Sequence, residues 1–310
     1  MNTLQAIIPI TQKGVSGVNM VTMSLRIINR MDIKENTRKD YIYRIPFFIS
    51  FIEKNGFNND TFLEYKRYLD GCTQWGVSTK NKYLIVARVF LKELNRMGYL
   101  EVDITSNIKG FRQSTRHKKN GITDEEMQKI QAKIQTMDDT KDNIRLKMIL
   151  ALLSLQGLRQ IEVTRLDVED INISGNTALI QGKGMDDKEM IYLHPKVSRS
   201  IKEYNKAFNI KSGSLLQSTS NRNKGKRMST RALRGIVKDF LNSLDIDKGT
   251  HSFRHYFTTK LIENYKGDLL QVRKYTRHRG IEMLQVYNDN VSTQDDLSRY
   301  YKVFNKLNFI

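Results

Sequence analysis

Apolar positions recur at helical spacing through the first third of the chain. Three segments have this pattern, at about 36–54, 60–71 and 79–97, and each is predicted to form a helix. The first of them places on one face Tyr41, Ile45, Phe48, Ile49 and Ile52. A further short helix is predicted at about 21–29. These residues therefore predict a compact bundle of about four helices.

The second half of the chain alternates helical and strand-like patterns. Thr123 followed by Glu126 is a capping box, and it predicts a helix to about 136, with an apolar helix after it at 141–155. Strands are predicted over about 169–173, 177–182 and 189–193. Further helices are predicted over about 195–208, 229–243, 269–275 and 281–287. The fold is therefore expected to be mainly α with a small β-sheet.

Breaks in periodicity predict four parts. They are an N-terminal extension (1–30), a helical domain (31–108), a linker (109–121) and a second domain (122–310). The linker, KGFRQSTRHKKNG, is polar and strongly basic, with glycine toward both ends. The second domain ends in an amphipathic tail whose apolar residues are Leu297, Tyr301, Phe304 and Leu307.

The charge of the chain predicts a polyanionic partner. The formal net charge is +19 and the pI is near 9.8, with 52 basic residues against 33 acidic ones. Residues 1–120 contribute +10 and the rest +9, so the excess belongs to both domains. Nucleic acid is the leading candidate for such a partner.

Several basic side chains are candidates for phosphate contacts, although each taken singly also fits a solvated surface charge. Those on the helical domain are Lys39, Arg44, Lys66, Arg67, Lys80, Lys82 and Arg88. Those on the linker and on the polar loop 211–228 are Lys118, Lys119, Arg222, Lys224 and Arg227.

Cysteine content and hydropathy predict a cytoplasmic protein. The single cysteine, Cys72, rules out an intramolecular disulfide and a cysteine-cluster zinc site. No run of 18 apolar residues occurs, and the N-terminus lacks the order of a secretory signal, so neither a membrane span nor secretion is expected.

The candidate chemistry lies between residues 251 and 287, with two contributions from upstream. His251 and Arg254 are three residues apart and share one face of a helix that Thr250 is placed to cap, while His278 and Tyr287 are nine apart. Upstream, Arg159 follows a glycine turn and Lys183 stands between two glycines at a predicted hairpin turn. Each residue alone has an ordinary structural explanation, and their order and context together favour a functional one.

These residue types meet the needs of metal-free phosphoryl transfer. No carboxylate cluster with the spacing of a Mg²⁺ site is present, whereas Arg159 and Arg254 can each bind phosphate oxygens bidentately. His278 can donate to a non-bridging oxygen, and Lys183 can protonate the departing 5′-oxygen. Tyr287 is then the nucleophile, with the nearby cations favouring its phenolate.

The motifs resemble those of tyrosine recombinases of the phage-integrase and Xer type. The first arginine box resembles Gly157–Val163 (GLRQIEV), and the hairpin lysine box resembles Gly182-Lys183-Gly184. The remaining boxes resemble His251–His255 (HSFRH) and the pair His278 and Tyr287. The resemblance covers about 150 residues of the second domain.

The resemblance implies a SAM-like helical core-binding domain and an α+β catalytic domain that clamp a double-stranded DNA core site. It also implies a homotetramer on two sites, a 3′-phosphotyrosyl intermediate, no requirement for ATP, metal or another cofactor, and a C-terminal tail that docks on a neighbouring protomer. The host would be a bacterial cell that carries the phage or mobile element. The target sequence, and whether the enzyme integrates, excises, inverts or resolves, is not encoded in these motifs.

One position departs from the family pattern. The residue before the final histidine is commonly glycine, and here it is Arg277. A non-glycine residue is disfavoured where φ is positive, so either the turn differs or Arg277 adds a phosphate contact.

Three rival functions remain open. A type IB topoisomerase would cut and religate without exchanging strands. A hairpin telomere resolvase is usually a longer protein. A non-catalytic DNA-binding relative would not need all six polar residues.

Overall fold

The structure, a computed structural model, describes residues 20–113, 121–182, 184–278 and 280–284. Contacts divide the chain into two compact units, and the described residues up to 113 belong to the first and those from 121 to the second. No helix in the described part of the chain combines the length and apolar composition that a membrane crossing requires.

The first unit is helical. Its helices are α1 (Met20–Arg30), α2 (Glu35–Asn55), α3 (Thr61–Gly71) and α4 (Val77–Arg96). The predicted bundle is therefore present, although α4 begins after Gly76, which has the extended backbone of an N-cap residue. Gly98 follows α4 with a φ of 76°, a conformation that glycine adopts without strain.

Apolar burial explains why these four helices associate. α2 packs against α1, α3 and α4, and Ile45, Phe48 and Tyr65 are almost inaccessible to solvent. Ile27 and Ile28 of α1 belong to the same core, so residues 20–30, placed in the predicted N-terminal extension, pack into this unit.

The second unit combines helices with one small sheet. Before the sheet come α5 (Asp124–Gln135), α6 (Lys141–Ser154), α7 (Gln160–Arg165) and a 3₁₀ turn (Val168–Asp170). The strands are β1 (Ile171–Asn172), β2 (Thr177–Gln181) and β3 (Lys188–Tyr192). After the sheet come α8 (Pro195–Phe208), α9 (Thr230–Asn242), α10 (Thr250–Asn264) and α11 (Leu269–Thr276).

The sheet is antiparallel, in the order β1-β2-β3, and the fold is mainly α with a small sheet as predicted. Gln181 pairs with Lys188, so residues 182–187 connect β2 and β3 at one end of the sheet. β1 is shorter than the predicted strand because Val168–Asp170 forms a 3₁₀ turn before it.

α6 is the central helix of the second unit. It packs against α8 and α10, and Met148, Ile149, Leu152 and Leu153 are fully buried. The turn that carries Arg159 follows α6 directly, so the position of this turn depends on the main core.

Candidate active site

Arg254 is almost fully buried, with a relative exposure of 1%. Its Nη1 donates to the carbonyl oxygen of Gly157 at 2.6 Å, and its Nη2 donates to the carbonyl oxygen of Thr276 at 2.5 Å. Nη2 also lies 3.3 Å from Nε2 of His278. These acceptors offset the cost of burying a guanidinium. Arg254 therefore joins the turn before α7 to the end of α11.

His251 lies in the first turn of α10 and is exposed. The N-cap residue of this helix is Gly249, so Thr250 is the first helical residue and not the cap that the sequence predicted. Because His251 and Arg254 are three residues apart on α10, they share one side of the helix. A protonated His251 would lower the pKa of His278, so the two rings lie close enough to interact electrostatically.

Arg159 stands at the N-cap position of α7, in extended backbone conformation. Glu162, three residues on, accepts hydrogen bonds at 2.8 Å from the backbone N–H of Arg159 and at 2.8 Å from its Nη1. The Arg159 side chain retains 25% of its exposure, whereas that of Glu162 retains 1%. The carboxylate thus fixes the direction of a guanidinium that still reaches the surface.

Arg277 binds the same carboxylate as Arg159 does. Its Nη2 lies 3.0 Å from Oε2 of Glu162, and its side chain is 8% exposed. Burial would raise the pKa of Glu162, but Arg277, followed by the hydrogen bonds from Arg159, outweighs burial and holds the pKa below its ordinary value. Glu162 is therefore an anion held between two guanidinium groups.

The backbone of Arg277 adopts the left-handed conformation that makes a non-glycine residue unusual at this position. Its φ is 55° and it forms the C-cap of α11. The turn before His278 therefore has the positive φ that a glycine would adopt without strain, so the expectation of a different turn is wrong. The side chain of Arg277 contacts Glu162.

His278 is buried at 5% exposure. Burial, followed by the charges of Arg254, Arg159, Arg277 and His251, lowers its pKa from 6.5 to about 3. The ring is therefore neutral near pH 7. Since the Arg254 guanidinium is always a donor, Nε2 accepts from it, and Nδ1 carries the proton toward Oγ1 of Thr276 at 2.8 Å. In this arrangement the single N–H of the ring is used within the protein, contrary to the expectation that His278 donates to a non-bridging oxygen.

An open cleft within the second unit is lined by several of these groups and by the carboxylates of Glu162 and Glu189. Its cationic wall consists of Arg159, Arg273, Lys274 and Arg277, and His278 borders the same space. Gly182 and Gly184 of the β2–β3 connection form part of the rim. A cleft with this excess of positive charge is suited to a phosphate group. In the described ranges, no three His, Cys, Asp or Glu side chains gather as metal ligands would.

The structure brings together four of the six predicted catalytic residues: Arg159, His251, Arg254 and His278. Lys183 and Tyr287 lie outside the described residues. Their assignment as general acid and nucleophile stays a prediction.

Some of the predicted DNA-contacting side chains are engaged in contacts within their own unit. Arg44 forms an ion pair with Asp40, and Arg88 donates to the carbonyl oxygen of Ile108. Lys80 donates to the carbonyl oxygen of Asp70 at 2.6 Å.

Arg227 also has contacts within its own unit. It donates to the carbonyl oxygen of Thr164 at 2.8 Å and to Asp167 at 2.5 Å. These bonds join the loop before α9 to the C-terminal end of α7.

Other predicted contacts lie nearer to solvent. Lys66 is half-buried, with its Nζ 5.6 Å from the centre of the Phe111 ring. The exposed members of the predicted set are Lys39, Arg67, Lys82, Arg222, Lys224 and Arg227. Lys118 and Lys119 lie outside the described residues.

Two residues of the site, Glu162 and Thr276, were not among those predicted from the sequence. A glutamate three residues after an N-cap position is a recognisable local signal, and it could have identified Glu162. Thr276 has no such signal, because its hydroxyl reaches His278 only through the left-handed turn at Arg277.

Sequence comparison relates the chain to known recombinases. The sequence model of the phage integrase family matches residues 120–294. The chain is 27% identical over 220 residues to a tyrosine recombinase of Synechocystis sp., an alignment that covers 69% of this chain and 68% of that protein. It is 26% identical over 255 residues to the tyrosine recombinase XerA of Pyrococcus horikoshii, covering 77% and 86% respectively.

Two solved structures share the fold. The XerH site-specific recombinase bound to palindromic difH substrate has a TM-score of 0.68 at 18% identity, covering 97% of this chain and 92% of that one. The Tn1549 transposon integrase in complex with a circular intermediate DNA has a TM-score of 0.65 at 12% identity, covering 90% and 99%. At these identities the likeness is one of fold.

Proposed function

This chain belongs to the phage integrase family, and on that basis we propose that it is a tyrosine site-specific recombinase that cleaves and rejoins DNA through a 3′-phosphotyrosyl intermediate. The observation that carries the proposal is the convergence of Arg159, Arg254 and His278 on one cationic region of the second unit. Three segments distant in sequence supply them.

The convergence fits the electrostatic demand of phosphodiester cleavage. Negative charge on the non-bridging oxygens must be stabilised as the nucleophile enters and the 5′-oxygen leaves. Arg159, held by Glu162 but still partly exposed, presents a guanidinium to the cleft. The buried Arg254 adds a second guanidinium charge, and its hydrogen bonds hold the His278 turn in place.

The proposed reaction exchanges one phosphodiester for another. The phenolic oxygen of Tyr287 loses its proton to solvent and forms a bond to phosphorus, while the bond from phosphorus to the 5′-oxygen breaks. Lys183 gives a proton to the departing 5′-oxygen. The 5′-hydroxyl of a partner duplex then attacks the phosphorus of the phosphotyrosyl ester and returns a proton to Lys183, and Tyr287 leaves and regains its proton from solvent. Neither ATP nor a metal ion enters this balance.

The proposed partner is double-stranded DNA with two core sites. The net charge of +19 supports a polyanionic partner. The related XerH and Tn1549 integrase structures are complexes with DNA. By resemblance to the family we further propose a homotetramer on two sites, with the segment after Tyr287 docked on a neighbouring protomer, in the cytoplasm of a bacterial host.

A trapping experiment tests the chemistry without knowledge of the target. The protein is incubated in EDTA with a library of duplexes that have a random core and a nick, and covalent adducts are isolated in SDS. Cleavage next to the nick releases a short strand with the 5′-hydroxyl, so religation is blocked. We expect adducts with the wild-type protein and none with Tyr287→Phe. Sequencing the trapped DNA then identifies the core site.

The controls separate binding from chemistry. Tyr287→Phe should bind the recovered duplex as the wild type does, in a gel-shift assay. An adduct that persists in Tyr287→Phe would overturn the nucleophile assignment. With two intact core sites, exchanged strands are the expected product, and relaxation without exchange would indicate a topoisomerase.

A further inference from the structure

Arg277 occupies a position with two unusual properties. Its φ of 55° is disfavoured for any residue with a Cβ atom. Its side chain is 8% exposed, and its Nη2 lies 3.0 Å from the carboxylate of Glu162, which is 1% exposed. A long cationic side chain in a strained turn suggests that the contact with Glu162 matters more than the backbone conformation.

The charge balance at Glu162 shows what this contact does. Without Arg277, the carboxylate would pair only with Arg159, through the hydrogen bond at 2.8 Å from Nη1. A guanidinium committed to a buried carboxylate is a weaker ligand for phosphate, because both anions compete for the same positive charge. With Arg277 present, two guanidinium groups share the carboxylate of Glu162, so the three side chains together have a net charge of +1.

The contact also has a geometric consequence. Glu162 belongs to α7, and Arg277 is the residue before His278, so the ion pair connects the Arg159 turn to the His278 turn. Arg273 supports the same turn, since its Nε donates to the carbonyl oxygen of His278 at 3.1 Å.

We propose that Arg277 is a positioning residue for strand cleavage, which neutralises Glu162 so that the charge of Arg159 remains available to the scissile phosphate. This inference rests on the proposed function. It assigns Arg277 no phosphate contact, in keeping with a side chain that is only 8% exposed.

The test compares Arg277→Lys with Arg277→Gln. Both variants keep a long side chain and the same demand for positive φ, but only lysine keeps the charge. The substrate is the nicked duplex identified in the trapping experiment, at saturating protein. We expect Arg277→Gln to form the covalent adduct about tenfold or more slowly than the wild type, and Arg277→Lys to retain most of the wild-type rate. DNA affinity should change by less than about threefold in both, because the inference gives Arg277 a contact with Glu162 and none with DNA.

A double variant tests the charge argument directly. If Arg277 acts by neutralising Glu162, then Glu162→Gln combined with Arg277→Gln should cleave faster than Arg277→Gln alone. A double variant slower than the single one would contradict the inference, provided that thermal unfolding shows it folded. If the double variant is not folded, the comparison of Arg277→Lys with Arg277→Gln tests the inference by itself.

Lys266 offers a matched control. It is an exposed cation with a φ of 50° just after α10, and it forms no ion pair with an acidic side chain of the described residues. Lys266→Gln should cleave like the wild type, which shows that removing a charge from such a position is not sufficient. If wild-type protein forms no adduct, the proposed function fails. If wild type does and Arg277→Gln equals it, or if Arg277→Gln loses binding and cleavage together, only this inference fails.

Discussion

Arg254 donates from Nη1 to the carbonyl oxygen of Gly157 at 2.6 Å, across 97 positions of sequence. This bond fixes the turn that precedes Arg159 relative to α10, which carries both Arg254 and His251. Two arginines from separate motifs therefore have a defined relative position before any phosphate binds. Preorganised charge of this kind stabilises a transition state without the cost of reorganisation.

The first prediction concerns the backbone at Gly157. Its φ is 56°, and a Cβ atom there would meet Cδ1 of Phe257 at 2.3 Å. Gly157→Ala should lower the free energy of unfolding by about 2–5 kcal/mol. This is the sum of the backbone strain of an alanine at positive φ and of the steric overlap between its Cβ atom and Phe257. Urea denaturation measures this. Gly213→Ala is the control, because its φ is 72° but no atom lies within 4 Å of a Cβ there. An equal loss in the two variants would show that Phe257 is not an obstacle.

The second prediction separates binding from catalysis at Arg159. Lysine at this position cannot bind Glu162 and grip a phosphate with two parallel hydrogen bonds. Arg159→Lys should keep DNA affinity within about tenfold while adduct formation falls about 100-fold or more, because the lost interaction strengthens in the transition state. Arg199→Lys, at an exposed position on α8, is the matched control. Equal losses of binding and cleavage would mean that Arg159 only anchors DNA.

The third prediction concerns the hydroxyl of Thr276. It lies 2.8 Å from Nδ1 of His278 and is fully buried, so it holds the ring in one tautomer. Thr276→Val keeps the shape but removes the hydrogen-bond partner. Adduct formation should fall about fivefold to tenfold, with DNA affinity unchanged. Thr276→Ser should retain the wild-type rate, and a serine variant as slow as the valine variant would point to packing instead.

The fourth prediction is a pH dependence of stability. The folded pKa of His278 is about 3 against an ordinary value of 6.5, so the unfolded ring takes up a proton below pH 6.5 while the folded ring does not. The contribution of a neutral His278 to stability is therefore complete above pH 6.5 and is lost as the pH falls toward 3.

His278→Gln removes this titration. The free energy of unfolding of the wild type, relative to the variant, should fall by about 2 kcal/mol between pH 7 and pH 5. Urea titrations at pH 7, 6 and 5 measure the difference. A difference that stays constant over this range would show that the folded ring titrates normally.

The sequence by itself determined the helices and most of the site. The predicted helices at 36–54 and 195–208 lie within one residue of α2 and α8, because helical periodicity and turn residues are local signals. The spacing of His251 and Arg254 also predicted a shared helix face. The motifs from Arg159 to Tyr287 were sufficient to indicate the family, and the family match to residues 120–294 confirmed it.

Only the tertiary structure decided which polar groups meet. Nothing local to Arg277 predicts that its guanidinium reaches Glu162, which is 115 positions away. Nor does the motif around Arg254 show that its guanidinium is buried against the carbonyl oxygens of Gly157 and Thr276. The physical reason is that a charged side chain becomes buried only where segments distant in sequence pack around it. The hydrogen-bond acceptor or counter-charge that offsets the cost of this burial belongs to one of those segments, so the local sequence does not identify it.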